Sequence, residues 1–269
     1  MHGRVFFVDK AAGVTSHDEV ATLRRKLGRG TKVGHAGTLD PFATGLLIVL
    51  AGRATRAQSL FMALGKTYEV RARFGVTSST GDTEGQLVET GRVPEGDLAL
   101  PTGRLEQTPP AWSAVKVAGV RAYRLARAGI EPDLQPRPIE VRTFEETERS
   151  GPDRAFRIEC SSGTYVRSLV SDLGDAYCTS LRRTAIGPFG VDELAGADLP
   201  LAEALAAFTP SIEVTGDDAT ALIHGRRIDD PRVGAPSGEL LVTTAGVLAA
   251  VAVPTGDGRL RTLIGFPPD

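Results

Sequence analysis

Apolar residues recur along this chain with two periods, and the points where one period gives way to the other outline its elements. Val5-Phe6-Phe7-Val8 reads as a short buried strand, left through a turn at Asp9-Lys10-Ala11-Ala12-Gly13. Ser16 and Glu19 have capping-box spacing. Val20, Leu23 and Leu27 share one face of the helix this predicts, with Gly28 as its stop. Leu46 to Leu50 suits a buried strand, and Tyr68, Val70, Ala72 and Phe74 alternate with Glu69, Arg71 and Arg73 as in a half-exposed one.

From Val76 to Pro110 the chain is rich in Gly, Thr, Asp, Glu and Pro, which predicts long surface loops with little regular structure. Strands are expected at Ala114 to Val117, Ile139 to Phe144, Phe156 to Cys160 and Arg183 to Ile186. Tyr123 to Arg127 predicts a short helix. Ser161 to Thr164 offers caps for another, carrying Arg167 in its first turn with Leu169, Val170 and Leu173, and Leu201 to Phe208 predicts a last one before Thr209-Pro210. Beyond that boundary, Leu240-Leu241-Val242 and Val247 to Val253 stand between Gly, Pro and Asp, the style of a small β-rich unit. The expected division is therefore 1–210 and 211–269.

With 269 residues, 41% of them hydrophobic, the chain can bury a sizeable core. It has no apolar run near the roughly 18 residues of a membrane span, and its start lacks the layout of a secretory signal, so a cytoplasmic location is expected. Cys160 and Cys178 read as reduced thiols, and His2, His17, His35 and His224 are scattered, so no metal site is expected. A net charge of −2 does not point to nucleic acid, and the charge is unevenly distributed: the basic end could supply phosphate contacts, or be an ordinary solvated helix face. Residues 1–60 carry nine Lys or Arg against four Asp or Glu, whereas residues 211–269 carry five against eight. The basic residues Arg24, Arg25, Lys26, Arg29 and Lys32 precede the segment with the sharpest chemistry, and Arg53 and Arg56 follow it.

That segment runs from Gly34 to Gly45, GHAGTLDPFATG. Its glycines permit positive φ and close approach of another molecule, and Pro41 pushes Asp40 towards an extended backbone, so the loop can hold one carboxylate in place. Continued into Leu46-Leu47-Ile48-Val49-Leu50, it closely resembles the catalytic motif of the TruB family of tRNA pseudouridine synthases. The resemblance extends in order through Val8-Asp9-Lys10, Lys66-Thr67-Tyr68, Gln107-Thr108-Pro109-Pro110 with Ser113-Ala114-Val115-Lys116, Cys160 to Leu169, and Leu181-Arg182-Arg183.

The resemblance implies an α+β pseudouridine synthase fold. Its mixed, mostly antiparallel sheet is flanked by helices and crossed by the active cleft, with a shortened PUA-type RNA-binding domain after Ser211. It implies conversion of uridine 55 in the T loop of tRNA to pseudouridine by a monomer without cofactor. Asp40 takes the essential role and Arg167 pairs with it, offsetting the tendency of burial to protonate an acid. Tyr68 stacks on the flipped base, Tyr165 and Leu181 line the pocket, and His35 helps displace or hold loop nucleotides. Three departures stand out: Ala11 and Ala12 where proline usually comes next, Ser180 where tyrosine is common, and a shortened stretch between Val93 and Glu106. They leave an alternative open, an RNA-binding or tRNA-folding protein with reduced modification activity.

Overall fold

In β3 (Thr44–Ala51) every residue from Gly45 onward is buried, so both faces of the strand need a cover. The computed structural model, which describes residues 3–231 and 238–267, supplies one on each side. Leu46, Ile48 and Leu50 join Val5, Phe7, Phe61 and Phe189 in one core, while Leu47, Val49 and Ala51 join Val20 and Val33 in another. Period-2 alternation inside a uniformly apolar run thus sorts one strand between two cores. Helix α1 (Ser16–Leu27) covers the second of these, and β1 (Arg4–Lys10) lies antiparallel to β3 with Val5 opposite Leu50 and Phe7 opposite Ile48.

The main sheet runs Asp198–Pro200, β1, β3, Ala176–Ile186, β4 (Lys66–Phe74), Asp153–Cys160, Arg137–Ser150, Gly103–Gln107. The short β2 (Val33–His35) is attached to β3, and every pairing in this sheet is antiparallel except that of β3 with Ala176–Ile186. That parallel contact is short, with only Arg182 opposite Thr44 and Arg183 opposite Gly45. Gly45 is required there. Its φ is +101°, and a Cβ would stand 2.2 Å from the Arg183 carbonyl oxygen. Beyond this seam, Val70, Phe74, Phe144, Phe156, Ile158, Leu169 and Val170 form the core of the sheet's other half.

A second, five-stranded sheet begins at Ser211–Glu213 and continues with Leu240–Thr244, Val247–Pro254, Arg259–Gly265 and Ile228–Asp229, matching the expected β-rich tail. Its Leu241, Val251 and Phe266 share a core with Phe61 and Leu205, so the two sheets are packed together. Among the described residues no helix is long and apolar enough to cross a membrane.

Several local expectations need correction. The capping box of α1 is Thr15 with Asp18, one residue earlier than Ser16 with Glu19, because the buried Ser16 hydroxyl is taken by Leu39 of the Asp40 loop. The stretch from Val76 to Pro110 is not all loop. Val76–Ser78 pairs with Leu87–Glu89, and Gly103–Gln107 forms a sheet edge on Arg137–Ser150, a partner too distant in sequence for local composition to reveal. Helix Val166–Ser171 starts at Tyr165 without the Ser or Thr cap expected of it. The strand expected at Arg183 begins at Ala176, Lys116–Val117 is all that pairs of the strand expected from Ala114, and the helix from Leu201 ends at Ala206.

Candidate active site

The loop carrying Asp40 leaves β2 and enters β3 at the parallel seam, and buried polar groups hold it from several sides. Lys10, fully buried at the end of β1, donates from Nζ to the carbonyls of Ala11 (2.9 Å), Val14 (2.7 Å) and Pro41 (3.2 Å). The Gly13 amide donates to the same Pro41 carbonyl at 2.8 Å. Ser16 Oγ accepts from the Leu39 amide at 2.9 Å and donates to its carbonyl at 3.2 Å. Arg183, also buried, donates to Leu46 (2.8 Å), Gly37 (3.1 Å) and Thr38 (3.4 Å). Both flanks of Asp40 are thereby pinned through backbone carbonyls, which fixes the carboxylate without using its own oxygens.

The Asp40 carboxylate meets a cation. Arg167 Nε lies 2.9 Å from Asp40 Oδ2, and its Nη1 lies 3.3 Å from Oδ2 of Asp82. Further donations go to the carbonyls of Thr80 at 2.5 Å and Trp112 at 3.0 Å, so the buried guanidinium is well satisfied. The Arg167 and Asp82 side chains are 5% and 4% exposed against 37% for Asp40, which makes Asp40 the acid that faces outward. Its pKa is pushed above the ordinary aspartate value, first by burial; the Arg167 cation opposes the rise and the Asp82 charge adds to it.

The structure brings five of the six expected site residues around one cavity. Asp40 and Arg167 share it with Tyr68, Tyr165 and Leu181, and among the described residues Asp40 is the only acidic one lining it. Tyr68, on β4, is buried with its ring hydroxyl shifted towards the protonated form by that burial. Leu181 and Arg183 arrive from the neighbouring strand, with Arg183 directly opposite Tyr68. Tyr165 is fixed by Gln107, whose side chain accepts from the Tyr165 amide (2.8 Å) and donates to its carbonyl (3.0 Å). His35 lies elsewhere, in an adjoining cavity that shares Asp40 and Arg167 and is also lined by Asp82, Trp112 and Tyr123. Its pKa is pushed down by burial and by Arg183, which favours the neutral ring.

Sequence reasoning missed four supports: Asp82, Lys10, Arg183 and the hydroxyl of Ser16. Lys10 and Arg183 lie inside recognised motifs, yet burial of their charges was not legible there. Asp82 had no signal beyond turn composition.

The mixed sheet, with its one parallel seam, belongs to a known fold. One chain in the structure of an H/ACA RNP bound to a substrate RNA containing 2′-deoxyuridine overlays 98% of this chain and 85% of its own length. The TM-score is 0.71 and the identity 23%. A chain of a Cbf5-Nop10-Gar1 complex overlays 99% of this chain and 84% of its own, with TM-score 0.70 and 25% identity. The fold is that of the pseudouridine synthases, with a separate C-terminal sheet of PUA-like character.

The family model for the TruB family pseudouridylate synthase N-terminal domain matches residues 24–166. The tRNA pseudouridine synthase B of Thermobifida fusca is 42% identical over 95% of this chain and 96% of its own length. That of Mycobacterium leprae is 40% identical over 97% and 86%. This chain belongs to the TruB family of pseudouridylate synthases.

Proposed function

We propose that this chain isomerises uridine to pseudouridine at position 55 in the T loop of tRNA, acting in the cytoplasm as a monomer, with Asp40 as the catalytic group. The observation that carries the assignment is that, among the described residues, Asp40 alone supplies a carboxylate to the cavity shared by Tyr68, Leu181 and Arg167. Near full-length similarity to tRNA pseudouridine synthase B proteins supports the substrate.

The reaction balances within the nucleotide. The N1–C1′ bond breaks, the uracil turns, C5 bonds to C1′, the C5 proton leaves and N1 gains one. A nucleophile or base must be ionised to take part, and Arg167 favours the charged form of Asp40 against the effect of burial. With Oδ2 engaged by Arg167, Oδ1 remains for the substrate. The target base has to leave its stack at a cost of roughly a few kcal/mol, and the Tyr68 ring and Leu181 offer it an apolar seat. Tyr165 closes the wall of that seat, and His35 acts on the RNA from the adjoining cavity. Residues 1–210 form the catalytic unit in this reading, and 211–269 form the PUA-like unit.

The test is to incubate unmodified tRNA with the protein and map pseudouridine by carbodiimide-dependent reverse-transcription stops. A single stop at position 55 is expected. Modification confined to another position would overturn the assigned site.

A further inference from the structure

The outer end of α1 carries a basic surface for which the catalytic cavity has no use. Arg25, Lys26, Arg29 and Lys32 are all exposed, and no Asp or Glu occurs between Val20 and Leu39. Arg25 reaches only the Thr22 hydroxyl, at 3.1 Å, and among the described residues none of the four is in an ion pair. Elsewhere exposed arginines are commonly neutralised, as in Arg71 with Glu148, Arg73 with Asp153, Arg92 with Asp175 and Arg142 with Glu159.

The patch is joined to the active cleft by geometry. His17, in the first turn of α1, lines the cavity that contains Asp40. Ala21, Arg25 and Gly28 continue that helix face at spacings of four, four and three residues. A shallow groove runs there between Ala21, Arg24, Arg25, Gly28, Arg29 and Gly30. At 1.5 Å per residue, Arg25 lies about 12 Å along the helix axis from His17, a distance spanned by a few nucleotides of backbone.

We propose that α1 and the residues just after it form a phosphate track, in which Arg25, Lys26, Arg29 and Lys32 hold the RNA backbone leading away from the nucleotide at Asp40. The ligand is polyanionic nucleic-acid backbone, recognised by charge and without reading of sequence. The inference rests on the proposed RNA substrate. It adds a surface that positions the RNA outside the reaction cavity.

The test compares tRNA binding and turnover between the full chain and a variant with Arg25→Gln, Lys26→Gln, Arg29→Gln and Lys32→Gln. At 50 mM salt the Kd should rise by about 10- to 100-fold, and the slope of log K against log salt should flatten by about 3. The kcat should stay within about twofold, because none of the four lines the cavity with Tyr68. Neutralising the ion-paired Arg71, Arg73, Arg92 and Arg142 instead should leave the slope nearly unchanged. A quadruple variant with wild-type Kd and slope overturns the track. A wild-type chain that isomerises no uridine overturns the active-site reading instead; the track is then decided by the binding comparison, which needs no turnover. Arg25→Lys with Arg29→Lys, which keeps the charge, should bind as wild type, and loss of binding there would contradict a purely electrostatic track.

Discussion

Arg167 Nε lies 2.9 Å from Asp40 Oδ2, and the arginine is the more deeply buried partner of the pair. The same guanidinium faces Asp82, so one cation is shared by a part-exposed acid and a buried one. Removing it leaves the buried Asp82 with the Thr80 hydroxyl and the Glu84 amide but without a cation. Arg167→Gln should therefore cost about 3 kcal/mol of stability, read from the urea midpoint at unchanged m, and should also lower activity. A variant as stable as the wild type would show that the ion pairs are not structural.

The two acids also predict a pH effect. As the proposed catalytic group Asp40 has to be ionised, and its pKa stands above 3.8, so kcat/KM should fall as pH drops through that raised value. The Asp82 charge contributes to the rise, which gives the sign: in Asp82→Asn the acid limb of the profile should move to lower pH. A limb that stays in place or moves up would contradict the coupling of the two carboxylates.

Lys10 acts on the same loop through its backbone. With Nζ donating to the part-buried carbonyls of Ala11, Val14 and Pro41, of which Pro41 keeps the Gly13 amide, Lys10→Met should lose about 1–3 kcal/mol. Because one of the three is Pro41, the variant should also lose roughly tenfold in kcat through a loosened Asp40. Calorimetric melting with single-turnover kinetics checks both, and unaffected turnover in a destabilised variant would separate the clamp from catalysis.

Gly45 predicts the consequence of closing the seam. Alanine there is strained at φ +101° and its Cβ meets the Arg183 backbone at 2.2 Å, so Gly45→Ala should cost about 3 kcal/mol or more. The drop in Tm reads it directly. A wild-type Tm would mean that β3 and the Arg183 strand can part without cost.

Tyr68 separates ring from hydroxyl. If its role is to seat the base, Tyr68→Phe should keep turnover within about tenfold, while Tyr68→Leu should lose it by about 100-fold, in line with the roughly 1–3 kcal/mol of base–aromatic stacking. Comparable losses in both variants would assign the role to the hydroxyl.

How much of this was readable in advance depended on what each residue does. Asp40, Tyr68, Tyr165, Arg167 and Leu181 sit in motifs whose order and spacing carry the family resemblance, and all five meet at one cavity. The strand alternation of Tyr68 to Phe74 was equally legible, because one face is buried and the other is wet. Asp82 was hidden because its partner is 85 positions away and its neighbours read as a turn. Lys10 and Arg183 were hidden for a different reason: periodicity assigns charged residues to the surface, whereas Lys10 is satisfied by the carbonyls of its own turn and of Pro41, and Arg183 by carbonyls of the Asp40 loop and β3. Ser16 has the chemistry of a helix cap, and only tertiary contact with Leu39 gives the cap to Thr15 instead.

The carboxylate of Asp40 is the group on which the proposed isomerisation depends. In tRNA carrying tritium at C5 of uridine, wild-type protein should release label as C5 bonds to C1′. Asp40→Asn should bind the tRNA with similar Kd and release none above background. Release by that variant at the wild-type rate would contradict Asp40 as the catalyst. No release by the wild type, with tRNA binding and refolding intact, would favour the RNA-folding alternative.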